Sequence, residues 1–180
     1  MHGIIFSELK KYVETRFGAS TWPALLKEAG LGSKLYMNVQ SYPDQDAVAL
    51  VMTASRMTGK PAPAILEDFG EFIAPDLLNM YRTLVRPEWK TIELLENVEH
   101  TIHTVVRARH PGAAPAQIAC TRTGPNEAVL TYTSARKMCP VAQGIIRGLG
   151  TSFKQQVSID ETSCMHRGNP SCRMTVRVTG

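Results

Sequence analysis

No stretch of this 180-residue sequence approaches eighteen consecutive apolar residues, so a membrane-spanning helix is not expected. It also lacks any run of three lysines or arginines. Its 20 basic and 16 acidic side chains are scattered, and a net charge of +4 leaves no basic stripe for nucleic acid. There is no nucleophile elbow, phosphate loop or H-E-x-x-H pair, so an enzyme has no familiar motif here. Low-complexity segments are missing too. With 43% hydrophobic and 20% charged residues the chain is expected to be globular, with a sizeable core. The opening Met1-His2-Gly3-Ile4-Ile5-Phe6 turns charged at Glu8, Lys10 and Lys11, too short an apolar run for a secretory leader. Cysteine is scarce, four in all. A cytoplasmic location is expected, where clustered thiols tend towards metal or redox chemistry.

What is present reads as helix for the first two thirds. Phe6, Leu9, Tyr12, Val13 and Phe17 fall at helical spacing up to Gly18, and Ser20-Thr21 before Trp22-Pro23 marks a second helix. Pro43-Asp44 opens a third, ending at Gly59. A fourth is expected from about Ala64 to Leu84, broken by Arg86-Pro87-Glu88. A long amphipathic stretch follows, from about Glu93 to Arg109, closed by Pro111-Gly112. The pattern then changes. Gln117 to Arg122 and Ala128 to Ser134 alternate as strands around a Gly124-Pro125-Asn126 turn. A helix from Val141 to Phe153 and strands at Gln155 to Ile159 and Arg173 to Val178 complete the chain. The expected class is α+β: a helical N-terminal part, residues 1–62, packed on a C-terminal part, residues 63–180, with a small antiparallel sheet and helices.

Two features carry chemistry. At 100° per residue, Ile92, Leu95, Val98, Ile102, Val105 and Val106 form an apolar arc with His103 at its edge, beside Ile92 and Glu99. An imidazole against an apolar wall suits iron in a flat hydrophobic cofactor. It equally describes an ordinary half-buried histidine, or an acid–base pair with Glu99. Second, period-two alternation puts Tyr132, Ser134 and Arg136 on one face. Two hydroxyls and a guanidinium fork make a carboxylate clamp, or a solvated strand end.

The order of these features resembles the haem nitric oxide/oxygen binding (H-NOX) family, relatives of the sensor domain of soluble guanylate cyclase. The features are the Met-x-Gly start, His103 with Pro111-Gly112 eight and nine residues on, the hairpin, Tyr132-x-Ser134-x-Arg136, and Gly144-Ile145-Ile146. The resemblance spans nearly the whole chain. It implies haem b held between the two parts, with His103 as proximal iron ligand and Tyr132, Ser134 and Arg136 on the propionates. Many members press a proline on the haem thirteen residues after the histidine. Here that position is Ala116, with Pro115 just before it taking the part. Oxygen-holding members carry a distal tyrosine five residues after the motif's arginine, where this chain has Val141. Leu9 and Ile73 match the family's other polar distal positions, and Ile5 belongs to the same pocket. Bound oxygen gains from a hydrogen-bond donor and NO does not need one, so the resemblance implies sensing of NO and CO with oxygen excluded.

The same resemblance implies a sensor whose histidine is released as NO binds, producing a conformational shift. A separate partner, a histidine kinase or a cyclic-di-GMP enzyme, reads that shift, and no output domain is expected in the chain itself. Cys164, His166 and Cys172 surround one turn and Cys139 follows the clamp. A subset of the family binds zinc with three cysteines and a histidine, the histidine lying where this chain has Glu161. His166 is the expected substitute in a structural zinc site. Otherwise Cys139 is core, and Cys164 and Cys172 pair or stay free. Cys120 reads as a small core residue. The rival reading is a haem-free, zinc-stapled redox-sensing or interaction module.

Overall fold

The computed structural model describes residues 1–110 and 112–180. Pro111, expected to close the long helix, lies outside them. Four helices come first: α1 (Gly3–Phe17), α2 (Thr21–Glu28), α3 (Asp44–Thr58) and α4 (Ala62–Met80). Next is a helical stretch in three pieces: α5 (Thr91–Val98), a π-helical turn (Glu99–His103) and α6 (Thr104–Arg109). The hairpin β1 (Gln117–Gly124) and β2 (Glu127–Thr133), helix α7 (Cys139–Ser152), and strands β3 (Gln156–Ser163) and β4 (Cys172–Thr179) follow. The sheet is antiparallel in the order β1-β2-β4-β3. The α+β class expected from the sequence is the class observed. No helix among the described residues is long and apolar enough to cross a membrane.

Apolar periodicity explains the layers. On α1 the inward set Phe6, Leu9, Tyr12 and Val13 meets Trp22, Leu25 and Leu26 of α2, Ala47 and Leu50 of α3, and Phe69 and Ile73 of α4. Each buried Val, Leu, Ile or Phe among them contributes roughly 1.5–3 kcal/mol by leaving water. In the sheet, Ala128, Leu130 and Tyr132 of β2 face inward beside Val176, Met174 and Cys172 of β4, their cross-strand partners. Ile92 and Leu95 of α5 and Ile146 of α7 close that rear core. A third cluster, Ala74, Trp89, Leu94 and Leu149, joins α4, α5 and α7.

Helices α4 and α7 are pressed together at glycines. A Cβ on Gly70 would lie 2.3 Å from the Val141 carbonyl oxygen, and one on Gly144 would lie 2.0 Å from the Glu67 carbonyl oxygen. Helix α4 runs unbroken through Pro75, which cannot donate to the Glu71 carbonyl one turn back. That oxygen faces α7 instead, 2.6 Å from where a Cβ on Gly148 would sit.

Two local expectations are corrected. The long helix is not uniform: the Thr104 N–H reaches back five residues to the Glu99 carbonyl, making one wide turn and shifting the phase on which the wheel reading relied. The alternation of β2 also stops at Thr133. Ser134 and Arg136 lie in a turn closed by the Lys137 N–H on the Ser134 carbonyl at 3.1 Å, so they do not continue the pleat.

The glycine contact is testable. Gly144→Ala should lower stability by about 1–3 kcal/mol, as overpacking against a rigid backbone does, and reduce the thermal midpoint. An unchanged midpoint would mean that the helices are not in close contact.

Candidate functional site

A cavity of about 340 Å³ lies between the front helices and the sheet, within the ~300–1,000 Å³ range of small-molecule and cofactor pockets. Ile5 and Leu9 of α1 and Ile73 of α4 form one wall, with Val141 of α7 beside them. His103, Pro115, Ala116 and the buried Tyr132 also line the cavity, and the partly exposed Arg136 stands at its rim. All but one of the residues expected at a haem site therefore line one cavity. The exception is Ser134, which does not line it; its hydroxyl accepts the Arg136 backbone N–H at 3.3 Å.

His103 enters the cavity from the π-helical turn, its side chain 18% exposed. Its Nδ1 lies 2.8 Å from Glu99 Oε2, which leaves Nε2 for the cavity side. The same Glu99 oxygen accepts the Ile118 N–H of β1 at 3.0 Å, and Oε1 accepts from Arg107 at 2.8 Å. Burial works to raise the Glu99 carboxyl, but these donors outweigh it and hold the group below the usual carboxylate range. His100, on the same turn, is exposed.

The rim is tied to the chain start. Arg136 donates to the Ala114 carbonyl and lies 3.5 Å from Asp44 Oδ2; Asp44 Oδ1 lies 2.7 Å from the Met1 ammonium. Burial tends to raise the Asp44 carboxyl, yet the two cations hold it below its ordinary 3.8. Tyr132 is buried, which pushes its hydroxyl up.

Behind Tyr132, across the β2–β4 ladder, lies a thiol cluster. The Sγ atoms of Cys139 and Cys172 are each 3.7 Å from that of Cys164, and all three cysteines are free. A zinc–sulfur length of about 2.3 Å makes the edge of a tetrahedron about 3.8 Å. The fourth donor within 4.8 Å of the others is a Glu161 carboxylate oxygen. The expectation of His166 is corrected here: its Nε2 is 2.6 Å from the Lys137 carbonyl, outside the group. Cys164 directly follows β3, and His166, two residues on, lies exposed in the 3-10 turn Met165–Arg167 that leads away towards β4. Burial and neighbouring thiols push Cys139 well above the ordinary thiol range. Cys120 is partly buried apart from this group, its thiol pushed up to about 11 by burial.

Sequence reasoning paired Glu99 with His103 through their i, i+4 spacing. It missed Asp44, which is 92 residues from Arg136 and has no local signal, and it named His166, not Glu161, beside the thiols.

A family model described as Haem-NO-binding matches residues 2–161. The fold is similar to that of an H-NOX protein from S. oneidensis solved in the Fe(II)NO ligation state: TM-score 0.93, 24% identity, the whole of both chains covered. An Fe(II) unliganded H-NOX protein from K. algicida is similar at TM-score 0.87 and 21% identity, over 100% of this chain and 97% of that one. The chain is also 21% identical over 169 residues to soluble guanylate cyclase gcy-31 of Caenorhabditis elegans. That match covers 92% of this chain and spans about a quarter of the relative's length, 24%.

The ion pair at the rim sets a pH dependence. A carboxyl depressed in the folded state adds stability above its unfolded pKa, and loses it as pH falls through the folded value. Wild type should therefore exceed Asp44→Asn in urea resistance at neutral pH, and the two should converge below the ordinary 3.8. A gap that persists unchanged at lower pH would argue against the pair.

Proposed function

The chain belongs to the haem-NO-binding family, and on that premise we propose that it is a haem-based gas sensor, not an enzyme, binding NO and CO and excluding oxygen. The observation that carries this reading is the apolar cavity, which has an imidazole nitrogen on one wall and a guanidinium at its rim. That chemistry fits a flat apolar ring with anionic side groups. Bound haem b supplies a ferrous iron that coordinates the gas.

Every other part is played by the chain. His103 would hold the iron through Nε2, since Nδ1 is engaged by Glu99. Tyr132, Ser134 and Arg136 would receive the propionates, and for this Arg136 exchanges its present partners, Asp44 and the Ala114 carbonyl. Pro115, next to Ala116, would press on the ring. Ile5, Leu9, Ile73 and Val141 would form the distal wall and offer no hydrogen-bond donor, which favours NO over oxygen.

His103 would be released as NO is sensed. The 1–62 part would then shift against the 63–180 part, a two-state element that differential binding can bias. A histidine kinase or a cyclic-di-GMP enzyme is the partner class we propose as reader; the cyclase activity of the longer relative is not carried over. Near the sheet, Cys139, Cys164 and Cys172 would hold a structural zinc, with Glu161 in place of His166 as fourth donor.

Two measurements test these assignments. His103→Gly should bind haem only with added imidazole, whereas ferrous spectra like those of wild type without imidazole would remove His103 as ligand. Wild type should carry one zinc per chain by metal analysis and Cys172→Ser should lose it. Equal zinc in both would refute the ligand set. A zinc-loaded protein with no haem absorption would instead favour the haem-free module.

A further inference from the structure

Glu99 is held more firmly than a helix-surface carboxylate needs to be. Its three donors come from different places: the His103 ring one turn on, the Arg107 guanidinium a further turn on, and the Ile118 backbone N–H on β1. The strand contact matters most for geometry. It fixes Glu99 to the sheet, so the carboxylate cannot swing into solvent as an exposed i, i+4 partner does. The π-helical turn Glu99–His103 lies between the two members of the pair.

We propose that Glu99 is a positioning residue that sets how firmly His103 holds its metal, with Arg107 as a counterweight drawing on the other carboxylate oxygen. This rests on the reading of His103 as the iron ligand. A carboxylate that accepts the Nδ1–H of a metal-bound histidine fixes its tautomer and ring orientation, and makes Nε2 a stronger donor. Oε2 serves His103 and Ile118, while Oε1 serves Arg107. The negative charge available to the imidazole therefore depends on how much the guanidinium withdraws. Arg107 is 41% exposed against 22% for Glu99, so it can be replaced with little effect on packing.

The two residues act in opposite directions, which a merely structural role would not reproduce. In the ferrous haem-loaded protein, the iron–histidine stretching band in resonance Raman reads the bond directly. Glu99→Gln keeps the shape and removes the charge. It should lower the frequency of the band and raise the rate at which His103 leaves on NO addition by on the order of tenfold. Arg107→Gln should raise the frequency and slow the release.

A wild-type band that neither variant moves overturns this inference alone, and so do shifts in the same direction. If wild type shows no iron–histidine band, the assignment of His103 falls and this inference with it. Should Glu99→Gln fail to fold, the exposed Arg107→Gln still decides: no upward shift means that no charge is being shared.

Discussion

Helices α4 and α7 touch backbone to backbone, and the rest of the molecule hangs on that contact. Gly70, Gly144 and Gly148 leave no room for a Cβ between them, so the distance between the helices is set by main chain and is insensitive to rotamers. From α4, Phe69 and Ile73 project into the front core and Ala74 into the third cluster. From α7, Ile146 packs under the sheet, Leu149 joins the third cluster, and Cys139 opens the helix inside the thiol group. Ile73 and Val141, which share one side of the cavity, are therefore held in register by the same joint. In an interior packed to near-crystalline density, a fixed joint of this kind transmits displacement where a softer one would absorb it.

Around the cavity the chain is tied twice more. Glu99 links the turn that bears His103 to β1 through Ile118, and Asp44 links the Arg136 turn to the amino terminus and α3. The first tie keeps the histidine on the sheet side. The second couples the rim of the cavity to the front helices. A ligand that recruited Arg136 away from Asp44 would therefore loosen the hold on the front helices. The thiol group lies next to the cavity, because Cys172 is the cross-strand partner of Tyr132.

Much of this was legible in the chain because it is local. Apolar spacing located α1, α3 and α7, the alternation of Ala128, Leu130 and Tyr132 located β2, and the edge position of His103 on its helix placed it against an apolar wall. The misses are all non-local or depend on one residue of register. Nothing in the sequence around Asp44 announces Arg136. The wide turn at Glu99–His103 leaves the apolar pattern nearly intact while moving the side chains. The clamp was expected on one strand face, but β2 ends at Thr133 and a turn delivers Arg136 to the same cavity. His166 was expected beside the thiols, yet β3 brings the Glu161 carboxylate to them and His166 lies on the Lys137 carbonyl.

The central claim is that this cavity takes a haem whose ferrous iron responds to NO. The visible absorption spectrum of the protein purified after expression with haem supply tests it most directly. The account predicts a Soret band from a histidine-ligated ferrous haem that changes on adding NO and stays unchanged in air-saturated buffer over the time of the measurement. A protein without a Soret band, or one whose ferrous spectrum is indifferent to NO, would contradict it.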